Sequence, residues 1–242
     1  MYQKMNFKKL NSPNFSRILR KSSDIKFIII HYTGMQSKVE SIKRLTSSKS
    51  KVSCHYLIDR SGKTINLVDD NRVAWHAGKS RWKKFVNLNY NSIGIELENK
   101  GHEHGYQNYT NMQIKRLINL CLYLKKKFKI NTSNILGHSD ISPQRKQDPG
   151  EKFPWKKLNQ KKIGIWYKLP RKIRLKNIGS KNLRKLFFKN LFKIGYRYFN
   201  QSQKSKKDVL VIKAFQRHFL QTKITGKIDK KTYEISHFLA NN

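Results

Sequence analysis

Apolar residues follow two rhythms along the first two thirds of the chain. Residues 26–32 (KFIIIHY) form an unbroken β-branched run, the pattern of a strand covered on both faces, with His31 near its carboxyl end. Residues 52–59 and 63–68 read as two further strands, joined through Ser61-Gly62, a connection suited to a tight hairpin. Residues 92–98 (SIGIELE) alternate, with Ile93, Ile95 and Leu97 on one face and Glu96 and Glu98 on the other. The period becomes helical over residues 111–129, where Ile114, Leu117, Ile118, Cys121, Leu124 and Phe128 share a side. Thr110 with Gln113 predicts a capping box at its start. A shorter helix is predicted over residues 39–45, and residues 71–91 read as a loop-rich groove wall.

After Trp155 the pattern changes. Residues 156–174 are basic with little periodicity, and amphipathic helices are predicted at 182–194, 207–220 and 229–240. In the second, Val211, Ile212, Phe215 and Phe219 share a face; in the third, Asp229 is placed to cap and Tyr233 and Leu239 face inward. The expectation is an α/β (α+β) fold with a mixed central β-sheet flanked by helices over residues 1–167. A small three-helix domain is expected over residues 168–242.

Charge adds one constraint. Lys and Arg number 53 against 14 Asp and Glu, a formal net charge of +39, which draws polyanions: nucleic acid, anionic lipid or a carboxylate-rich wall polymer. A compositional bias toward Lys, Asn and Ile accounts for the same excess. The basic residues are dispersed rather than gathered in a stripe and no nucleic-acid motif accompanies them, so a specific nucleic-acid partner is not expected. Cys54 and Cys121 have no ligand spacing and read as buried thiols. The basic N-terminus has no apolar run behind it and no segment is long enough to span a membrane. That favours the cytoplasm, or the cell envelope if translation starts further upstream.

Two of the histidines, His31 at the strand end and His138 in Gly137-His138-Ser139-Asp140, stand where a metal site is possible. A polar loop, ISPQRKQDPG, follows His138 and carries Lys146 and Asp148. Two imidazoles and a carboxylate suit Zn²⁺ and leave a fourth position open, the arrangement used to activate water for amide hydrolysis. Such chemistry also needs a proton-transfer group and an oxyanion donor, for which Glu96 and Lys146 are candidates. From spacing alone, a lone histidine on a strand is more often a packed core residue than a ligand.

Six segments resemble, in order and spacing, those of the type-2 N-acetylmuramoyl-L-alanine amidases, whose fold is shared with peptidoglycan recognition proteins. They are SPNFSR, IIIHYTGM, VSCHYLIDRSGK, AWHAGKSRW, SIGIELEN and GHSDISPQRKQDPG, spread over residues 12–150. The likeness extends to about residue 167 and is strongest to the branch containing the AmiD and AmpD amidases. It implies zinc held by His31, His138 and Asp148, with Glu96 handling the proton and Lys146 steadying the tetrahedral intermediate. Trp75 and His76 match a motif beside the substrate groove; a core tryptophan and a histidine that orients a ligand are the alternative. His55 reads as structural, and His102-Glu103-His104 as a solvated turn. The tail segments IGYRYFN, VIKAFQRHFL and ITGKIDKKTYEI resemble the three-helix peptidoglycan-binding module found beside wall hydrolases. The implied function is hydrolysis of the bond between N-acetylmuramic acid, or its anhydro form, and L-alanine in peptidoglycan or muropeptides. The alternative is a catalytically silent peptidoglycan-binding protein.

Overall fold

A computed structural model describes residues 7–169 and 180–242; residues 170–179, which include the end of the basic 156–174 segment, and residues 1–6 lie outside the described residues. The chain opens with β1 (Lys8–Lys9), β2 (Phe15–Ser16), β3 (Phe27–Tyr32) and α1 (Lys38–Thr46). Next come the hairpin of β4 (Tyr56–Ile58) and β5 (Thr64–Asn66), β6 (Val73–Ala74) paired with β2, and the small hairpin of β7 (Arg81–Trp82) and β8 (Phe85–Val86). β9 (Ser92–Leu97), α2 (Asn111–Phe128), β10 (Ile135–Gly137), α3 (His138–Ile141) and α4 (Trp155–Asn159) complete the first segment. The tail holds α5 (Ser180–Ile194), α6 (Asp208–Phe219) and α7 (Lys230–Asn241).

The expected mixed sheet is present. Its six strands run in the order β1-β5-β4-β9-β3-β10, and every neighbouring pair is parallel except β4 with β5. The strands predicted over 52–59 and 63–68 are shorter than expected, Tyr56–Ile58 and Thr64–Asn66, because the chain turns out of the ladder at their ends. Asp59 Oδ1 accepts from the Ser61 and Lys63 amides and folds the chain into the hairpin turn, while the Ser53 amide donates to the Trp75 carbonyl, outside the sheet. The predicted groove wall at 71–91 contains β6, β7 and β8.

Alternation along β3 and β9 divides the core in two. Ile28 and Ile30 of β3 and Ile93, Ile95 and Leu97 of β9 face α2 and pack with Leu117, Cys121 and Leu124. Helix α2 starts where Thr110 Oγ1 accepts the Gln113 amide at 3.1 Å. The reciprocal half of the capping box is not made. Gln113 Nε2 donates instead to the carbonyls of Ile58 and Glu98, tying the helix to the ends of β4 and β9.

On the opposite face Phe27 and Ile29 join Leu136 of β10 in a cluster with the tail aromatics Phe187, Phe188, Phe215 and Phe219. The two segments therefore share one continuous apolar core. Gly195, at φ +140, lets Trp82 lie on the tail backbone: a Cβ there would fall 2.4 Å from the indole. Asp229 caps α7 as expected, accepting the Thr232 amide at 2.8 Å, and Cys54 and Cys121 are free and buried. Among the described residues no helix is long and apolar enough to cross a membrane.

Candidate metal centre and active site

The face of β3 that carries Phe27 and Ile29 ends on His31, which is paired in register with Glu96 of β9. β10, on the other side of β3, runs directly into α3, whose first residue is His138. The loop after α3 returns Asp148, and the Ser139 amide donates to the Asp148 carbonyl at 2.9 Å, linking the two turns. His31, His138 and Asp148, all buried, thereby bring one ligand atom each to a common point; they form the sole such His/Cys/Asp/Glu group among the described residues. His31 Nδ1 lies 3.0 Å from His138 Nδ1 and 2.9 Å from Asp148 Oδ2, and His138 Nδ1 lies 3.1 Å from that same oxygen.

The ring protons can be assigned by working inward from groups that can only accept. The Ser92 hydroxyl donates to the Leu88 carbonyl, so its oxygen accepts from His76 Nε2 at 3.2 Å. Burial and neighbouring His31 hold His76 well below the ordinary histidine range, so its ring is neutral and Nδ1 is an acceptor. His31 Nε2, 3.0 Å away, must then be the donor. His138 Nε2 donates to the Ala77 carbonyl at 3.1 Å. Burial, then the charge of His138, lowers His31 to about 4, so its Nδ1 carries no proton at neutral pH. Burial alone would raise Asp148, but His138 and His31 beside it hold the carboxyl well below the usual carboxylate range. His31 Nδ1, His138 Nδ1 and Asp148 Oδ2 thus converge on one point at hydrogen-bond separations, while His31 Nε2 and His138 Nε2 point outward to His76 and the Ala77 carbonyl. Two imidazoles and a carboxylate that converge in this way, with the far ring nitrogens engaged from outside, are compatible with a metal site.

These groups open onto a cavity of ≈ 370 Å³, within the range of small-molecule sites. Glu96, Lys146, Trp75 and His76 line it, as do Tyr32 and Arg145. Glu96 Oε2 is shielded from solvent and has no hydrogen-bond partner among the described residues. Its burial, and then the charge of Asp148, raises the carboxyl to about 8. Glu98, predicted to share its face, lies beyond the end of β9, where its carboxylate accepts the Arg60 amide at 3.0 Å. Trp75 is half-buried and donates to Ser16, while both ring nitrogens of His76 are engaged by His31 and Ser92. His55 is buried and accepts the Gly94 amide at Nδ1.

The turn expected at His102-Glu103-His104 is only partly solvated. Glu103 and His104 are exposed, but His102 accepts from the Tyr32 hydroxyl and donates to Glu151, closing one side of the cavity. Several residues that shape the site were not singled out from the sequence. Gly94 is the sharpest case: a Cβ there would lie 2.4 Å from the His76 ring, so the ring can sit on β9 only over a glycine. Its signal was the row of small residues, Ser92 and Gly94, opposite the isoleucines of SIGIELE. Arg20, which donates to the carbonyls of Asp70, Asn89, Tyr90 and Ser92, gave no comparable signal.

Comparison with known proteins agrees with this geometry. A family model described as N-acetylmuramoyl-L-alanine amidase matches residues 21–151, and the chain belongs to that family. It is 34% identical over 230 residues to the N-acetylmuramoyl-L-alanine amidase AmiD of Escherichia coli (strain K12), covering 89% of this chain and 82% of AmiD. The solved complex of AmiD with anhydro-N-acetylmuramic acid-L-Ala-D-gamma-Glu-L-Lys superposes with a TM-score of 0.77 over 89% of this chain and 88% of that one. AmpDh3 of Pseudomonas aeruginosa, 27% identical, superposes with a TM-score of 0.76 over 95% of this chain and 96% of its own, so the likeness takes in the tail.

Proposed function

We propose that this chain is a zinc-dependent amidase that hydrolyses the bond between N-acetylmuramic acid, or its anhydro form, and the first L-alanine of a peptidoglycan stem peptide. The observation that carries the reading is the convergence of one ligand atom each from His31, His138 and Asp148 in a cavity that Glu96 and Lys146 also line. His31 Nδ1, His138 Nδ1 and Asp148 Oδ2 would hold the ion. When bound, zinc in such an open three-ligand set supplies Lewis acidity that makes water nucleophilic near neutral pH.

The chain's own groups account for the proton. Glu96, which lines the cavity with Oε2 free of any partner among the described residues, is the carboxylate placed to exchange that proton. It takes one from the attacking water at a carboxylate oxygen and returns it to the alanine nitrogen as the C–N bond breaks. The products are the lactyl carboxylate and a free peptide amine. The Lys146 ammonium faces the carbonyl oxygen as negative charge collects there. Trp75 supplies a wall for the substrate, and His76 contributes through His31, which it keeps in the right tautomer.

The reading divides the chain into a catalytic unit, residues 1–167, and a helical peptidoglycan-binding-like unit, residues 168–242. Incubating purified protein with intact sacculi and with soluble anhydro-muropeptides, followed by mass analysis, tests the function. Free stem peptides beginning with L-alanine are expected, abolished by chelation and restored by zinc. Cleavage at any other bond, or none with zinc supplied, refutes it.

A further inference from the structure

The loop that presents His138, Lys146 and Asp148 is held from outside by the tail. Asp140, 1% exposed, stands two residues after His138. One of its oxygens, Oδ2, accepts the Gly137 amide at 2.8 Å, the bond that starts α3 and aims His138. The rest of its acceptor capacity faces the tail: Oδ2 accepts from His218 Nδ1 at 2.8 Å and Oδ1 from the Tyr196 hydroxyl at 2.6 Å. Both tail groups are themselves buried. The His218 ring is stacked between Trp155 and Phe219, each at 4.0 Å, and Tyr196 lies edge-on to Trp82 at 4.9 Å.

Further contacts follow the loop. Gln144 Nε2 donates to the Tyr198 carbonyl, Arg217 donates to the Gln147 side chain between Lys146 and Asp148, and Gln221 donates to the Phe153 carbonyl. The Ser139–Asp148 backbone bond carries any movement of the Asp140 turn to the second ligand. A buried carboxylate deprived of a donor must find another or shift, since unsatisfied buried polar groups are costly. In a tightly packed interior the available shift is movement of the turn itself.

We infer that the tail is a working part of the metal centre: Tyr196 and His218 are positioning residues that act through Asp140 to fix His138 and, through the Ser139 amide, Asp148. The inference rests on the zinc reading of the preceding subsection. It separates this tail from a tethered binding module, whose removal would leave the chemistry intact.

The test uses the full chain and Tyr196→Phe, which keeps the ring packing and removes only the hydroxyl bond to Asp140. Ser236→Ala is the control, because Ser236 loosens the tail core through Asn190 and the Tyr233 carbonyl without touching Asp140. Zinc affinity is read by competition with a chromophoric chelator, alongside thermal midpoints and kcat and KM on a soluble muropeptide. Tyr196→Phe should weaken zinc about 10-fold, as loss of partners behind ligands commonly does, and lower kcat with little change in KM. Ser236→Ala should lower the midpoint and leave zinc affinity unchanged. Adding Asp140→Asn to Tyr196→Phe should give less than the product of the separate effects, the mark of a shared path. Wild-type zinc affinity and kcat in Tyr196→Phe overturn this inference alone. Absence of zinc binding in the unmodified chain overturns it together with the zinc reading.

Discussion

Replacing Gly94 by alanine tests the proton chain behind His31 at its narrowest point. The added methyl would stand 2.4 Å from His76 Cγ and 2.6 Å from both Cδ2 and Nδ1. Ordinary carbon contacts begin near ~3.5 Å, so the ring must retreat by about 1 Å. β9 cannot yield, because Gly94 is in the middle of a strand paired on both sides. A retreat of that size stretches the 3.0 Å bond between His76 Nδ1 and His31 Nε2 beyond hydrogen-bonding distance. His31 is then free to turn or to move its proton to Nδ1, the atom that should face the metal. Losing such a partner typically weakens metal binding ~10- to 100-fold, about 1.4–2.7 kcal/mol. Zinc competition titrations on wild type, Gly94→Ala, His76→Ala and the double variant measure it. Because both single changes remove the same support, the double variant should bind zinc no more weakly than the worse single one. Wild-type affinity in Gly94→Ala, or full additivity in the double variant, would refute the reasoning.

Glu96→Gln should keep zinc and fold while losing ~10²- to 10⁴-fold in kcat, and Lys146→Met about 10²- to 10³-fold; Glu98→Gln should be mild, and a crippling Glu98→Gln with active Glu96→Gln would reverse the assignment. Burial keeps His31, His55 and His76 below the ordinary histidine value of 6.5, His31 at about 4. The unfolded chain therefore binds more protons as pH falls from 6.5 toward 4, and the thermal midpoint of metal-free protein should drop across that window; a flat midpoint between pH 7 and 5 would contradict it. Raising salt should weaken retention on sacculi, since exposed charges are screened beyond about 8 Å at physiological ionic strength, and should raise the thermal midpoint by relieving self-repulsion. Retention that ignores salt would leave the charge with no part in recognition.

The sequence carried the site further than it carried the architecture around it. Strand β3 was legible because burial on both faces leaves an unbroken apolar run, which set His31 near its carboxyl end, and β9 because its alternation set Glu96 opposite the isoleucines. β1, β2 and the hairpin of β7 and β8 were not, since pairs of residues have no period to detect and their pairing is set by distant partners. The ligand trio was reached by resemblance rather than spacing, because His31 and His138 are brought together only by the parallel pairing of β3 with β10. Asp140, Tyr196 and His218 illustrate a third limit: the tail aromatics read as the core of a separate bundle, whereas the tail packs on the free face of the same sheet.

The distribution of carboxylates explains how a charge of +39 coexists with this fold. With 14 Asp and Glu in the chain, few remain to balance the exposed lysines, and most are committed to a local task. Asp148 faces the two imidazoles, Asp140 joins sheet and tail, Asp59 shapes a turn, Asp229 caps α7 and Glu98 receives the Arg60 amide. Asp208 answers Arg184, and Glu151 answers His102 and Arg217. These acids act at short range, several of them on amide or hydroxyl donors as well as on cations. The excess of Lys and Arg is therefore free to act at long range, where exposed pairs would have contributed little to stability in any case. Arg44, Lys100, Arg145 and Lys146 line the same cavity as the ligand trio, alongside Glu96, Glu103 and Asp148. The scarce negative groups thus hold the site together at short range, and the salt dependence of retention on sacculi decides whether the abundant positive ones act on approach to it.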